Sequence, residues 1–577
     1  MSRVDRRTFV SLCTTVGLGT APFLDAVWNQ LEATPAPLST DPMVVQQQAP
    51  SRITREMVTS AETISGLTFT DAERDMMLQG LNGALTSFQR IHAVSLPNSV
   101  PPALHFSPFP AGMAPPLVQA RSPAREARSV LRPKSPEDLA FMTVAELGEL
   151  VRTRQVTATE LTELYLARLK KYNPVLECVV TLTEGRALAQ AAVADREIRS
   201  GRYRGPLHGI PWGAKDLLTV PGFKTTWGSA IYQDQVLEDI ATVVERLDQA
   251  GAILVAKLTL GALAMGDVWF GGTTRNPWLT SQGSSGSSAG PASATAAGLV
   301  GFAIGTETLG SIVSPATRNG VSGLRPTYGR VSRHGAMALS WTMDKIGPLC
   351  RSAEDCAIVL GAIYGPDGKD PTVINLPYGW DHEKPLTAIR VGYLKAAFEA
   401  EHPGKAHDDA ALEAARNLGV ELVPVTLPDD LPIAALRIIL NAEAAAAFDE
   451  VTRTNLDDKM VRQTANAWPN IFRTARFIPA VEYIQANRIR TLLMQRMAAV
   501  FQQVDVFITP SFGGNVLLIT NLTGHPAIAM PSGFTEQGTP VSVSFVGNLC
   551  GESDLCLVAR KWQEATGWHK QRPPGYP

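Results

Sequence analysis

The chain has 577 residues, and its 52 basic and 54 acidic side chains give a formal net charge of −2. This balance gives no indication of a nucleic-acid partner or of an anionic membrane surface. The length exceeds that of one ordinary domain, and an apolar fraction of 45% is enough to bury a large core. The six cysteines show neither a CxxC pair nor a zinc-ligand spacing, so we expect buried thiols and no metal, with a Cys550–Cys556 disulfide left open.

The N-terminus predicts an export signal. Arg6 and Arg7 precede a mildly apolar run from Val10 to about Leu24, which is too short and too rich in Thr and Gly to predict a membrane span. A basic pair in this position resembles a twin-arginine signal. Residues 1–50 are therefore predicted to be a signal and a disordered stretch of a periplasmic or secreted protein. A disordered basic N-terminus of a cytoplasmic protein is the alternative.

Residues 51–100 are predicted to form a small helical segment, an N-terminal extension of the main fold. Thr70, Asp71 and Glu73 are typical of a helix start. One face of this helix is expected to carry Met76, Met77, Leu81 and Leu85. A linker rich in Pro, Ala and Arg is predicted over 101–134.

The main domain is predicted over 135–568, before a C-terminal tail at 569–577. Two capping boxes mark helix starts, Thr143 with Glu146 and Thr157 with Glu160. Short apolar runs flanked by Gly predict buried strands at 252–256, 302–304, 389–394 and 504–509. Strands that alternate with helical stretches predict an α/β fold, in which helices flank a mixed or parallel central sheet.

Lys215 is the first residue that suggests chemistry. It ends the run His208-Gly-Ile-Pro-Trp-Gly-Ala-Lys215, which is apolar and contains Gly and Pro. Most lysines are solvated, and a surface residue is the alternative interpretation. An ammonium group at this position would be drawn inward, where burial favours a neutral amine that can accept a proton.

Two loops rich in small residues follow. Residues 283–291 are Gly- and Ser-rich and run into a good helix sequence at 292–297, which is typical of a catalytic or anion-binding turn. A flexible tether is the alternative. Residues 305–315 follow a predicted buried strand, and their small side chains would let backbone N–H groups hold an oxyanion. An ordinary strand-to-loop turn is the alternative there.

A competing hypothesis comes from Gly286-Ser-Ser288-Ala-Gly290, which matches the GxSxG nucleophile elbow of α/β-hydrolases. That motif needs a strand immediately before it. Residues 276–283 contain Pro and turn formers, and we predict that they do not form a strand. No histidine downstream is marked as a catalytic base by its local sequence. We therefore reject this interpretation.

Taken together, the three segments resemble the amidase signature family over roughly 135–568. The resemblance implies a mixed central sheet flanked by helices, hydrolysis of a carboxamide, and no cofactor. The motifs that carry it are Gly209-Ile-Pro-Trp-Gly-Ala-Lys215-Asp216, Asn276-Pro-Trp278, the Gly/Ser loop, Gly305-Thr-Glu-Thr-Leu-Gly-Ser311, Gly323-Leu-Arg-Pro-Thr-Tyr-Gly-Arg330 and Asn521-Leu-Thr-Gly-His-Pro526.

The resemblance also implies a catalytic triad. Lys215 matches the family's base, and Ser311, at the end of its motif, matches the nucleophile. The family's bridging serine lies in a cis peptide before a helix of small residues. Aligning that helix places the bridge at Ser287 rather than at Ser284 or Ser285.

The same resemblance assigns residues around the triad. Ser288 would be a supporting hydroxyl, and the oxyanion would be held by the backbone N–H groups of Thr308, Leu309, Gly310 and Ser311. Four positions depart from the family's usual pattern. Glu307 stands where Asp is usual, Leu309 where Gly is usual, and Val313 where Arg is usual, and Ala289 replaces the first Gly of the Gly-Gly that usually follows the serine pair. Leu309 and Val313 leave the substrate open.

The main functional hypothesis is a free-standing amidase whose partner is a small-molecule amide. The first alternative is the glutaminase subunit of a tRNA-dependent amidotransferase. Residues 51–100 resemble the small helical subunit of that enzyme. The predicted export signal and the lack of a net positive charge argue against the amidotransferase subunit, and against any nucleic-acid partner. An esterase or carbamate hydrolase stays open, and a homodimer is allowed. A non-catalytic protein is disfavoured because all three triad residues are present.

Overall fold

A computed structural model describes residues 52–65, 67–94 and 129–577. The predicted signal at 1–50 and most of the predicted linker, at 101–128, lie outside the described residues. The predicted boundaries between domains therefore stay predictions.

The described residues alternate between helices and strands along the chain. The α-helices are α1 (Arg55–Ser65), α2 (Asp71–His92), α3 (Pro136–Leu139), α4 (Val144–Arg152), α5 (Ala158–Leu176), α6 (Glu184–Arg199), α7 (Thr242–Gln249), α8 (Ala289–Ala296), α9 (Val313–Asn319), α10 (Ala353–Ile363), α11 (Lys395–Glu399), α12 (Lys405–Arg416), α13 (Ile438–Ala447), α14 (Asp449–Arg453), α15 (Trp468–Ala475), α16 (Ala480–Gln503), α17 (Val516–Thr523) and α18 (Glu552–Thr566). Short 3₁₀ helices lie at Ala230–Tyr232, Ala262–Ala264, Leu386–Ala388, Ile433–Arg437, Leu456–Lys459 and Trp568–Lys570. The strands are β1 (Val179–Leu182), β2 (Pro211–Lys215), β3 (Ile253–Leu258), β4 (Val268–Trp269), β5 (Gly272–Thr273), β6 (Arg275–Asn276), β7 (Leu279–Gly283), β8 (Phe302–Glu307), β9 (Ser322–Arg325), β10 (Lys345–Cys350), β11 (Val391–Leu394), β12 (Leu422–Val425), β13 (Val506–Pro510), β14 (Ala527–Phe534) and β15 (Pro540–Gly547).

The central sheet has 11 strands in the order β1-β3-β2-β8-β10-β9-β14-β15-β13-β11-β12. Strand β2 is parallel to both β3 and β8, whereas β10 is antiparallel to β8, so the sheet is mixed, as the resemblance implies. Every residue of β2, β3 and β8 is buried. Such burial is expected of strands whose two faces are both covered by helices. The predicted fold class is confirmed.

The apolar runs predicted as strands are strands. The runs at 252–256 and 302–304 belong to β3 and β8, and those at 389–394 and 504–509 belong to β11 and β13. Two helix starts are reciprocal capping boxes, at Thr70 for α2 and Thr143 for α4. At α5 only half of the predicted box forms: the Thr157 side chain accepts the Glu160 N–H, but the Glu160 carboxylate pairs with Arg132 at 2.5 Å instead.

The prediction that 276–283 contains no strand was wrong. Strand β7 at Leu279–Gly283 pairs in antiparallel register with Arg275–Asn276, and Pro277 and Trp278 make the turn between them. The indole N–H of Trp278 donates to the Asn319 carbonyl at 2.8 Å and anchors this turn. The hairpin is separate from the central sheet.

Helices α1 and α2 pack against the main body of the protein. Val58 of α1, Met77 and Leu81 of α2, and Leu67 and Phe69 of the segment between them form one buried apolar cluster. The guanidinium of Arg473, in α15, is 2.6 Å from the Glu73 carboxylate and also pairs with Asp457 and Asp458. These three carboxylates lie close enough together to suggest a cation site. Because the Arg473 guanidinium already pairs with all three, the group serves as a contact between α2 and the main body.

Two further sequence predictions concern cysteines and membranes. The five cysteines in the described part of the chain are unpaired, so the Cys550–Cys556 disulfide is not formed. Across residues 52–65, 67–94 and 129–577, no helix combines the length and the apolar character that crossing a bilayer requires.

Candidate active site

Lys215 lies at the carboxyl end of β2 and is fully buried. Its Nζ atom is 2.9 Å from Ser287 Oγ, 3.1 Å from Ser288 Oγ and 2.8 Å from Thr306 Oγ1. Since β2 and β8 are parallel neighbours, the lysine reaches sideways to Thr306 of β8 and forward to the serine loop. The sheet thus brings together residues that lie 91 positions apart in the chain.

Burial lowers the pKa of Lys215 to about 7, even though the carboxylates of Asp344 and Glu307 act to raise it. Desolvation disfavours the charged form of an amine. A large fraction of Lys215 is therefore neutral near neutral pH, and a neutral amine can accept a proton from a hydroxyl group.

The serine loop joins hairpin β6–β7 to helix α8. The peptide bond between Gly286 and Ser287 is cis, as the resemblance implies. A Cβ atom on Gly286 would lie 1.9 Å from the carbonyl oxygen of Gly266, so this position has no room for a side chain. The N–H of Ser285 donates to the Asp267 carboxylate at 2.9 Å, and this bond anchors the start of the loop to the segment before β4.

Ser311 lies beyond the end of β8 and is 8% exposed. The backbone N–H of Ser288 donates to the Ser311 carbonyl at 3.1 Å, which joins the two loops. Among the described residues, no hydrogen bond joins Ser287 Oγ to Ser311 Oγ. The hydroxyl of Ser311 is therefore the one member of the predicted triad that is not engaged with the other two.

The loop between β8 and α9 is arched around Glu307. This buried carboxylate accepts the N–H groups of Ile312 at 2.8 Å and Val313 at 3.0 Å. It also accepts from Arg325 at 2.7 Å and Asn521 at 2.8 Å. Burial alone would raise the pKa of Glu307, but Arg325 and Lys345 outweigh it and lower the pKa to about 2. An ionised Glu307 thus fixes both ends of residues 308–311.

The remaining predicted residues lie on this arch. Gly310 has φ of +86°, a left-handed conformation that favours glycine. The Thr308 hydroxyl donates to the Asp344 carboxylate at 2.6 Å. Leu309 is half-buried. The structure therefore gathers every predicted site residue around the carboxyl ends of β2 and β8.

The comparisons with known proteins agree with this geometry. Residues 160–519 match the Amidase family model. A glutamyl-tRNA(Gln) amidotransferase subunit from Azoarcus sp. (strain BH72) is 36% identical over 487 residues, which is 75% of this chain and 99% of that relative. The corresponding subunit from Methylococcus capsulatus is 34% identical over 482 residues, again 75% and 99% of the two chains.

This chain belongs to the amidase signature family. Native peptide amidase from Stenotrophomonas maltophilia has the same fold, with a TM-score of 0.68 and 30% identity, over 76% of this chain and 100% of that one. Like these amidases, the protein is an enzyme that hydrolyses amides.

Within this amidase signature fold, three residues of the site were missed by the sequence analysis. Thr306 contacts the Lys215 amine, Asp344 contacts Thr308, and Lys345 begins strand β10 beside Glu307. The sequence did point to two of them, because the charged residues Asp344 and Lys345 stand immediately before the mainly apolar residues 346–350 of β10. Charged residues that lead into a buried strand are unusual and indicate a functional or paired group.

Proposed function

We propose that Ser311 is the nucleophile of this amidase and that Ser287 and Lys215 form its proton relay. The observation that carries the proposal is the buried Lys215 amine, 2.9 Å from Ser287 Oγ, with a pKa of about 7. A serine hydroxyl attacks a carbonyl only when a base removes its proton. The neutral amine is the base that this site offers.

The reaction proceeds in two halves. Lys215 takes the proton of Ser287, which takes that of Ser311, while Ser311 Oγ forms a bond to the amide carbon. Backbone N–H groups of residues 308–311 stabilise the oxyanion. The relay then returns the proton to the leaving nitrogen as the C–N bond breaks. Water repeats the sequence on the acyl-enzyme, releases the carboxylate and restores Ser311.

The substrate is proposed to be a primary carboxamide that releases ammonia. Similarity to the amidotransferase subunits over almost their whole length favours the alternative raised from the sequence, a glutaminase-type subunit, over the free-standing amidase. In that role the chain acts with other subunits, and glutamine is its amide substrate.

A free-standing amidase is the second candidate. It is supported by the structural similarity to a peptide amidase and by Val313, an uncharged residue where the family usually has Arg. Helix α2 adds to this support, because it already covers part of the surface of α15 and α16. The proposal of a homodimer stays a prediction.

A substrate panel separates the two candidates. Ammonia release is measured from glutamine and from a C-terminal peptide amide, and amine release from an aryl anilide, each with wild type and with Ser311→Ala. Preference for glutamine, together with glutamine-dependent amidation of Glu-tRNA(Gln) when the other subunits are added, supports the glutaminase role. Turnover of the peptide amide or anilide without glutamine turnover supports the free-standing enzyme.

The expected cellular location depends on which of the two candidate functions is correct. A glutaminase subunit that serves tRNA belongs in the cytoplasm, so the relatives favour the cytoplasmic alternative over export. A reporter fused to residues 1–50 tests this directly. Reporter retained in the cytoplasm supports the alternative, and translocated reporter supports the predicted twin-arginine signal.

A further inference from the structure

We propose that Trp468 positions the serine loop of the catalytic centre, through a hydrogen bond to a backbone segment on which that loop rests. The segment is residues 261–267, called here the support segment, which lies directly before β4. The inference rests on the proposed roles of Ser287 and Ser311. It adds a positioning residue from helix α15, which acts on the serine loop through the support segment.

The serine loop contacts the end of the support segment at two points. The N–H of Ser285 donates to the Asp267 carboxylate at 2.9 Å. A Cβ atom on Gly286 would lie only 1.9 Å from the Gly266 carbonyl oxygen, so the two backbones are in direct contact there. Atoms packed this closely move together. A shift of the support segment would therefore displace Ser287 from the other residues of the proposed relay.

Two residues of the support segment have a backbone conformation that L-amino acids rarely adopt. Leu263 has φ of +50° and Ala264 has φ of +63°. The Cβ atom is crowded in this left-handed conformation, which persists in such residues only where the surrounding structure imposes it. The shape of the support segment therefore depends on the contacts that hold these two residues.

Two tryptophan residues hold the backbone of Leu263. Its N–H donates to the Trp227 carbonyl at 2.9 Å, and its carbonyl accepts the indole N–H of Trp468 at 2.8 Å. Leu263 is fully buried, and Trp468 is 4% exposed. Loss of the indole donor would leave this buried carbonyl poorly satisfied. The indole hydrogen bond thus fixes the peptide group that joins Leu263 to Ala264.

The indole of Trp468 is held in place by other aromatic rings. It stacks on Phe472, with the ring centroids 5.1 Å apart and an angle of 12° between the planes. Phe472 stacks on Phe448 at 5.5 Å, and Phe448 meets the Trp227 ring edge-on at 6.2 Å. This row of rings joins the two tryptophans that hold Leu263. Such contacts give the indole a defined orientation toward the carbonyl.

Helix α15, which carries Trp468, is fixed in turn to helix α2. The Asn470 side chain donates to the Met76 carbonyl of α2 at 3.3 Å. A Cβ atom on Gly80 would lie 3.0 Å from Cγ2 of Thr474, so the two helices pack closely where they meet. A continuous series of contacts therefore runs from the N-terminal helices through Trp468 to the serine loop.

The alternative is that Trp468 only stabilises the fold, and the chain offers a matched control for it. Trp562 is fully buried, its indole N–H donates to the Ala411 carbonyl at 3.0 Å, and its ring meets Phe545 edge-on at 5.7 Å. Trp468→Phe and Trp562→Phe each keep an aromatic ring and remove one buried indole hydrogen bond. Both should therefore lower the denaturation midpoint by similar amounts.

The test compares rates at a temperature at which every variant is folded. The substrate is whichever of glutamine, a C-terminal peptide amide and an aryl anilide the wild type hydrolyses fastest. We expect Trp468→Phe to lower kcat by roughly three- to thirtyfold with KM nearly unchanged, because the serine loop is misplaced. Trp562→Phe should keep the wild-type kcat. Covalent labelling by a fluorophosphonate, which reacts with activated serine hydroxyls, should slow to a similar extent in Trp468→Phe alone.

Ala264→Gly provides a rescue. Glycine adopts the left-handed conformation readily, so a support segment with glycine at this position should depend less on the indole. Added to Trp468→Phe, this substitution should restore part of the lost kcat. A purely structural role of Trp468 predicts no such recovery.

Three outcomes would overturn the inference. The first is a wild-type kcat in Trp468→Phe, and the second is an equal loss of kcat in Trp562→Phe. The third is a double variant, with Ala264→Gly, that recovers no activity. The proposed function fails by a separate result: Ser311→Ala that keeps both amide hydrolysis and fluorophosphonate labelling would assign the nucleophile to another residue.

Discussion

The Nζ atom of Lys215 lies 2.9 Å from the Oγ atom of Ser287, and both side chains are buried. Thr306 and Ser288 add two further hydroxyl contacts to the same amine. A buried lysine whose partners are hydroxyl groups keeps the lowered pKa that burial imposes. This environment supports the proposed role of Lys215 as a base.

Replacing the proposed nucleophile should abolish hydrolysis. Ser311→Ala is expected to lower kcat at least about 10⁴-fold, because the proposed acyl-enzyme forms on the hydroxyl that this change removes. Ser284→Ala is the matched control, since among the described residues the Ser284 hydroxyl donates only to the Ser285 carbonyl at 3.0 Å. The Ser284 variant should hydrolyse a carboxamide at a rate close to that of wild type. Comparable loss in both variants would argue against Ser311.

The pH profile should report the ionisation of Lys215. Only the neutral amine accepts a proton, so the wild-type rate should rise as pH increases through about 7 and level off above it. Lys215→Met is expected to lower kcat/KM by roughly 10²–10⁴-fold and to remove this inflection. Initial rates measured from about pH 5.5 to about pH 9.5 would check both points. An inflection that persists in the variant would assign it to another group.

Glu307 should stabilise the fold through its charge. Its folded pKa of about 2 lies below the ordinary value of 4.5, so the stabilisation is complete above pH 4.5 and is lost as pH falls toward 2. Glu307→Gln is expected to lower the free energy of unfolding at pH 7 by on the order of 1–3 kcal/mol. Denaturant titrations at pH 7 and pH 3 measure this.

The difference in free energy of unfolding between wild type and Glu307→Gln should be smaller at pH 3 than at pH 7. At pH 3 the ionised carboxylate of the wild type contributes less stabilisation than it does above pH 4.5. Glu421→Gln serves as the control, since Glu421 is exposed. That substitution should leave the denaturation midpoint unchanged. An equal difference in free energy of unfolding at both pH values would show that the hydrogen bonds of Glu307, and not its charge, provide the stabilisation.

The contact of α2 with the main body should depend on Glu73. Glu73→Ala removes a partner of the buried Arg473 and half of a capping box, with an expected cost of about 1–3 kcal/mol. Asp71→Ala, at a side chain that is 73% exposed, should cost no more than about 0.5 kcal/mol. Thermal unfolding of the two variants tests this. Equal costs would show that Arg473 relies on Asp457 and Asp458.

Local sequence signals were sufficient for much of the fold. The apolar runs predicted four strands, because each is short and mainly apolar. The hairpin at 275–283 was missed since its second strand is polar and belongs to a two-stranded ribbon outside the central sheet. The half-formed cap at Thr157 was missed because Arg132, a residue distant in the chain, competes for Glu160.

The sequence by itself predicted the residues of the site, because Lys215, Ser287 and Ser311 stand in ordered motifs whose residue types suit acyl transfer. Only the tertiary structure decided their environment. Burial of Lys215 and the engagement of Glu307 by four donors depend on strands that come from distant parts of the chain. Desolvation and hydrogen-bond satisfaction are properties of a neighbourhood in space, and no stretch of sequence contains them.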